Sequence, residues 1–256
     1  MRRSFHTEGI ILKNYRFGEI HKGVVFLSPE IGLQTAVAFG AYSPKGKLRT
    51  VTSPLCTGTL YLYRDPVKDM IKITDMDCKL FFSGIRENIR KFFHASLFQE
   101  IVLKTFGGEA PSVYELLVSS LTWLELLPDL RSTEILVQFL WRYVTYAGLA
   151  PDLEQCSACG KERGSREPAY VQVGVSGLLC AECAGISLKD TSSCEERVHA
   201  GGLEYLRYTE ALSLERALQV QVEEESLYSL KHFLILLIKY LAGGGLNSLR
   251  VGEGYL

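Results

Sequence analysis

Residues 8–40 read "EGIILKNYRFGEIHKGVVFLSPEIGLQTAVAFG". Three runs in this stretch, 8–15, 22–28 and 33–40, are rich in Val, Ile, Thr and aromatic residues, and turn-forming groups separate them: Phe17-Gly18-Glu19, then Ser28-Pro29-Glu30-Ile31-Gly32. That composition and punctuation predict strands joined by short turns. Two more runs of the same kind follow, "LCTGTLYLYR" at 55–64 and "DMIKITDMDCKL" at 69–80, beyond a turn signal at Pro44-Lys45-Gly46. Five short strands in so short a span predict a small closed barrel. The five-stranded OB type is the commonest such object, and a small open sheet is the alternative. In "LYLY" the leucines are expected to face inward, with Tyr61 and Tyr63 outward.

From Arg86 the apolar period changes. "RENIRKFFHASLFQEIVLKTF" places Ile89, Phe92, Phe93, Leu97, Ile101 and Val102 on one helical face, and Gly107-Gly108 ends it. "SVYELLVSSLTWLELL" opens on Ser112-x-x-Glu115, a capping-box pattern. A third helix is predicted from Ser132 to Tyr146, closed by Gly148 and Pro151. "GLEYLRYTEAL" and "SLYSLKHFLILLIKYLAG" are helical in pattern further on, and Gly243-Gly244-Gly245 is a firm stop. The longest apolar stretch, "HFLILLIKYL" at 232–241, is broken by Lys239 and falls short of the roughly 18 residues of a membrane span. Arg2-Arg3 and Phe5 faintly resemble a twin-arginine export signal, but "GIIL" is too short for its apolar region, so a cytoplasmic protein is expected.

Four of the seven cysteines lie in "QCSACGKERGSREPAYVQVGVSGLLCAECAG" at 155–185, as Cys156/Cys159 and Cys180/Cys183. Two thiolates two residues apart grip one tetrahedral ion from a tight turn, and a second such turn completes the shell. Twenty residues between the pairs is at the edge of zinc-site spacing. "AYVQVGVSGLLC" alternates like a small hairpin between them, with Gly174 and Gly177 near its turn. One structural zinc is therefore expected, since four thiolates leave no open coordination position. The competing dithiol-oxidoreductase reading lacks the surrounding βαβ pattern. Cys56 and Cys78 fall in strand patterns as buried small apolar residues, and Cys194 falls outside the ligand spacing as a free thiol.

Net charge is −1, but it is unevenly spread: residues 1–82 carry twelve Lys/Arg against seven Asp/Glu, and the remainder carries sixteen against twenty-two. A +5 barrel beside a −6 remainder points to a polyanion as partner of the barrel. Lys13, Arg16 and Lys22 flank the first turn, and Lys45, Lys47 and Arg49 crowd the loop "YSPKGKLR". With Tyr15 and Tyr42 as stacking rings, these cations suit single-stranded nucleic acid. The bland alternative is a solvated strand face. "GAYSPKGKL" misses a phosphate-binding loop: five residues separate Gly40 from Gly46, and Leu48 stands where a hydroxyl belongs. "GVSGL" misses a nucleophile elbow at Leu178. The five histidines show no ligand spacing, and no enzyme active site is assembled.

"TEGIILKNYRFGE" at 7–19, "GAYSPKGKLR" at 40–49, "LYLYR" at 60–64, "YAGLAPDLEQCSACG" at 146–160, "SGLLCAEC" at 176–183 and "LNSLRVGEGYL" at the end together resemble the RecO family of recombination mediators, in order and over nearly the whole chain. The resemblance implies an α+β, multidomain protein: an N-terminal OB-fold barrel over 1–82, a helical domain over 83–154 and 186–256, and an embedded zinc ribbon over 155–185. It further implies binding of single- and double-stranded DNA, annealing of complementary strands, and partnership with RecR and single-stranded-DNA-binding protein in loading RecA during gap repair. Two departures accompany it. Tyr42 and Ser43 interrupt a loop that is denser in Arg and Lys in the family, and the C-terminal part is acidic, so DNA affinity is expected to be weaker or more salt-sensitive. Arg86, Arg90, Lys91, Arg131 and Arg142 are candidate secondary contacts. A protein-interaction adaptor and a thiol enzyme built on the four cysteines are the two competing function classes.

Overall fold

The computed structural model describes residues 3–43, 46–106, 108–164, 166–172, 177–189 and 194–256. Its contacts divide into two compact units, Met1–Leu126 with Tyr255, and Leu127–Gly254 with Leu256.

In the first unit, β1 (Ser4–Phe17), β2 (His21–Ser28), β3 (Gly32–Ala38), β4 (Thr57–Asp65) and β5 (Met70–Leu80) form a closed barrel in the order β1-β2-β3-β5-β4. Every pairing is antiparallel except β3 with β5. This closes the expected sheet as an OB-like barrel, with a short helix, α1 (Leu48–Val51), in the β3–β4 connection. Val24, Phe26, Ala36, Ala38, Leu60, Leu62, Ile71 and Ile73 fill the interior. Leu60 and Leu62 are buried and Tyr61 is exposed, as the "LYLY" alternation requires.

Three helices complete this unit: α2 (Ser83–Glu87), α3 (Ile89–Thr105) and α4 (Ala110–Leu126). Because α3 and α4 pack on β1, Ile10, Ile11 and Leu12 are all buried, and the strict alternation of a half-buried strand is lost there. At that point β1 carries an irregularity between Ile11 and Lys13, and the side-chain amide of Gln99 donates to the carbonyls of Ile11 and Leu12 at 3.2 and 3.1 Å. Glu125, near the end of α4, accepts the backbone N–H groups of Gly84 and Ile85 at 2.8 and 2.7 Å and so caps α2. Three expectations are corrected. Ile89 and Phe92 are 55% and 42% exposed, because the buried face of α3 runs through Lys91, His94, Ala95 and Phe98 instead. Ser112 is not a cap, since α4 begins two residues before it. Cys56 is buried as expected and Cys78 partly so, but they are not separate: Cys56, just before β4, and Cys78 of β5 have Cα atoms 6.2 Å apart and are disulfide-bonded.

Gly58 lies in β4 beside a second irregularity of the β4–β5 ladder. A Cβ there would overlap the backbone carbonyl of Asp77. Backbone does not yield as a flexible side chain does, so Gly58→Ala is expected to destabilise the barrel by about 1–3 kcal/mol. A thermal melt read by the near-ultraviolet signal checks this, and an unshifted midpoint contradicts it.

In the second unit, α5 (Ser132–Tyr146) follows a 3-10 turn at Asp129–Arg131 and packs against the helix formed by Glu224–Leu241. The chain then forms β6 (Ala169–Gln172), β7 (Leu178–Leu179), α6 (Ala181–Lys189) and β8 (Cys194–Val198), followed by α7 (Ala200–Glu210), α8 (Leu214–Ala217), α9 (Glu224–Leu241) and α10 (Asn247–Val251). Leu136, Phe139, Leu140 and Tyr143 of α5, with Leu230, Phe233, Leu234 and Ile238 of α9, are fully buried and form the helical core. The expected hairpin is β6 with β7, but β8 joins on the other edge of β6, a strand the sequence reading does not include. Gly174, at the expected turn, and the side chain of Cys194 lie outside the described residues. Among the described residues no helix is long and apolar enough to cross a membrane.

Candidate nucleic-acid interface and metal centre

The β1–β2 hairpin end and the 40–49 loop are tied into one surface. The backbone N–H of Tyr42 donates to the Ile20 carbonyl at 2.9 Å, and that of Gly40 to Nδ1 of His21 at 3.0 Å. On this surface Lys13, Arg16, Lys47 and Arg49 are exposed, while Tyr15 and Tyr42 are 41% and 39% exposed. The Arg16 guanidinium reaches back over its own turn to the carbonyls of Gly18 and Glu19, at 3.3 and 3.2 Å. Lys45 lies outside the described residues.

Lys22 differs from Lys13, Arg16, Lys47 and Arg49. It is 2% exposed, and its ammonium donates to the backbone carbonyl of Arg49 at 2.7 Å and sits 5.3 Å from the centroid of the Tyr42 ring. Burial pushes its pKa down, and the neighbouring Arg49 charge adds to this. A side chain this deeply placed does not reach a phosphate, so Lys22 belongs to the support of the surface rather than its outer layer. The reason is the barrel: β2 continues past the point where the turn signal suggests solvent, and Lys22 pairs in register with Ala38 of β3.

Two aromatic neighbours extend the surface. Phe17, at the first turn signal, is 40% exposed, and Phe39 is 44% exposed and packs edge-on against His21 at 4.8 Å. Phe39 follows the alternating run of β3 directly and could have been read as an outward ring at the strand end. Lys72 places its ammonium 5.7 Å from the Phe39 ring and 5.5 Å from that of Tyr63, although it also pairs with Asp65 at 2.9 Å. Tyr61 stands apart: its hydroxyl donates to Asp77 at 2.9 Å, and that carboxylate pushes its pKa up. A ring bonded to a carboxylate is a poor platform for a polyanion.

The secondary cations are mostly engaged inside their own units. Arg86 stacks on Phe81 at 4.3 Å and donates to the Phe81 and Pro54 carbonyls. Lys91 is 9% exposed and donates to the Glu125 carbonyl at 3.2 Å. Arg131 binds Glu134 and the Leu218 carbonyl, and Arg142 donates to the Thr209 and Leu212 carbonyls at 3.2 and 2.8 Å. Arg90 is exposed.

The four cysteines form the second site. Their sulfurs all lie within 4.8 Å of one another, and those of Cys159 and Cys180 are 3.9 Å apart. The first knuckle is a tight turn in which Gly160 N–H donates to the Cys156 carbonyl and Cys156 N–H to the Lys161 carbonyl. The second leads from β7 into α6, and the Cys180 N–H donates to Cys156 Sγ at 3.3 Å. The knuckles approach so closely at Gly177 that a Cβ there would overlap the side chain of Ser157. Burial opposes ionisation of Cys156, but the backbone N–H groups of Cys180, Cys159 and Ala158 outweigh it and bring its pKa down to about 6. Hydrogen bonding with Cys180 and Cys159 pushes the Cys183 thiol up to about 12, as expected where several thiolates compete for one small space. Beside them Arg163 donates to the Leu153 and Gln155 carbonyls at 3.0 and 3.3 Å, and so ties the segment after the first knuckle to the segment before it. A tetrahedral ion with bonds of about 2.3 Å spaces its sulfurs about 3.8 Å apart. The cluster is therefore of a size and chemistry that can hold one metal ion.

The family profile "Recombination protein O N terminal" matches residues 1–81, and "Recombination protein O C terminal" matches residues 86–250. The chain is 30% identical over 179 residues to the DNA repair protein RecO of Oceanobacillus iheyensis, covering 69% of this chain and 67% of the relative. It is 30% identical over 183 residues to the DNA repair protein RecO of Desulforamulus reducens, covering 70% and 69%. Against the DNA repair protein RecO of Moorella thermoacetica it is 27% identical over 183 residues, covering 71% and 67%.

Proposed function

Because the chain belongs to the Recombination protein O family of DNA repair proteins, we propose that it is a non-enzymatic, DNA-binding recombination mediator. The observation that supports this reading is that Lys13, Arg16, Lys47 and Arg49 are exposed, and Tyr15 and Tyr42 half-exposed, on a hairpin and a loop that the Tyr42–Ile20 and Gly40–His21 hydrogen bonds join. Ammonium and guanidinium groups neutralise phosphates, unstacked bases lie on the rings, and Lys45 is assigned to the same loop. Annealing follows from holding two strands side by side with their repulsion screened, and it requires no nucleotide hydrolysis. Double-stranded DNA binds through the same phosphate contacts without the stacking.

RecR, single-stranded-DNA-binding protein and, indirectly, RecA are the partners this role requires. The domain scheme that goes with it assigns the strand surface to residues 1–82, the helical scaffold to 83–154 and 186–256, and the metal module to 155–185. The four cysteines are assigned one structural zinc. A closed four-thiolate shell favours zinc over harder cations and leaves no position for catalysis. Arg163 and Lys161 lie where they offset part of the negative charge of such a centre: thiolate charge on Cys156 and Cys180 favours the charged guanidinium, although burial pushes the Arg163 pKa down.

The reading is tested by anisotropy of a labelled oligonucleotide in dilute buffer. Binding that weakens steeply with salt supports it. No binding at low salt removes the mediator role and favours a protein-interaction adaptor. Metal analysis of the same sample is expected to give about one zinc per chain. Redox-active thiols at 156, 159, 180 and 183 in place of bound metal would favour thiol chemistry instead.

A further inference from the structure

Tyr15 and Tyr42 come from different parts of the chain, yet consecutive residues of β2 support them. Tyr15 pairs in register with Gly23, and a Cβ on Gly23 would overlap three atoms of the Tyr15 ring. The ring therefore lies against the bare backbone of β2 and remains 41% exposed. One residue earlier, Lys22 is buried, its ammonium 5.3 Å from the Tyr42 ring centroid and 2.7 Å from the Arg49 carbonyl. Lys22 thus holds both ends of the 42–49 segment, its ring and its helix. Ile20 and His21 fix the same turn through the N–H groups of Tyr42 and Gly40. A single strand segment therefore presets both rings.

We infer that Lys22 and Gly23 are positioning residues, which fix the spacing and tilt of Tyr15 and Tyr42 so that successive bases of a single strand stack on them. This rests on the DNA-binding reading above and sharpens it. It separates Lys22, a cation that acts through a ring and a carbonyl, from the four exposed cations that would meet phosphate. A glycine at position 23 is required because any side chain would lift the ring off the strand, and a cation at 22 because it engages a π face and an acceptor together. Stacking selects unpaired bases, so the pair confers preference for single strands.

The test compares an oligo-dT strand with an abasic strand of equal length, each titrated with salt against the whole chain. For Lys22→Met the salt slope is expected to stay at the wild-type value, while the preference for dT over the abasic strand falls about three- to tenfold, a fraction of the stacking of one base. Gly23→Ala is expected to act likewise through Tyr15, and it provides a second route should Lys22→Met fail to fold. In a Tyr42→Ala background, Lys22→Met is expected to cost no further dT preference, whereas a general loss of stability would add in full. A slope flattened by about 0.7 in Lys22→Met would make Lys22 a direct phosphate ligand and overturn the inference. Full additivity with Tyr42→Ala, or equal weakening on both strands, overturns it too while leaving the DNA reading intact. A wild-type chain that ignores both strands removes the DNA reading and this inference with it.

Discussion

Cys156→Ala is expected to abolish metal retention and unfold the module over 155–185, with loss of solubility, while the barrel stays folded. The expectation follows from how little else holds the module. Among the described residues, the apolar cluster around the ligand positions contains four buried residues, Cys156, Leu179, Cys180 and Ala184, and two of these are proposed ligands, with only the small or short-strand side chains of Ala169, Val171 and Leu178 buried besides. β6 pairs with β7 over two residues and with β8 over four, and a sheet of such short strands has little apolar face of its own to bury. Against this, structural zinc in a small thiolate site contributes on the order of 10 kcal/mol of binding energy, which is folding energy when no site exists in the unfolded chain. Removing one ligand leaves three thiolates crowded together and a coordination position open, so Cys180→Ala and treatment with a strong chelator should act alike. Zinc content by mass spectrometry and protease cleavage within 155–185 are the readouts. Oligonucleotide binding should fall only as far as the sample loses folded protein. A variant that keeps its metal and resists protease would contradict the structural role, and a fully folded one that no longer binds DNA would place the module on the DNA itself.

The barrel was legible because each of its strands combines β-branched and aromatic residues with turn residues at both ends, signals that operate within a few residues. The cluster of four cysteines was legible for the same reason, since the spacing of Cys-x-x-Cys is local chemistry. What was misread depends on packing between distant segments. Ile89 and Phe92 satisfy a helical period, but β1 selects the face of α3 that carries Gln99, whose amide meets the buried carbonyls at the β1 irregularity. Lys22 looks like a surface cation until the 40–49 loop closes over it and offers a carbonyl and a ring. The pairing of Cys56 with Cys78 depends on the β4–β5 register, which no local pattern states. β8 has two glutamates and an arginine among its five residues, so its composition gives no strand signal, and the open edge of β6 supplies one.

For wild-type chain and a labelled single strand, affinity is expected to fall with salt on a log–log slope near −0.7 per phosphate contact. Four exposed cations, Lys13, Arg16, Lys47 and Arg49, then give a slope of about −2.8, and Lys45 steepens it by up to about one further contact. Raising salt from about 50 to 200 mM would weaken binding about fiftyfold, with the Debye length shrinking below the width of the patch. Lys47→Ala with Arg49→Ala should flatten the slope by about 1.4, leaving about a sevenfold loss over the same range. The Arg49 substitution keeps the backbone carbonyl that Lys22 engages, so the loop should stay in place and the change report charge alone. Lys13→Ala with Arg16→Ala should flatten it equally from the other side of the surface. The acidic remainder of the chain makes this more demanding than for a uniformly basic protein: phosphate has to be attracted by the barrel locally, against a net charge of −1 overall. A slope that both double variants leave unchanged would put the strand elsewhere on the molecule, and the uneven charge along the chain would then serve the docking of proteins instead.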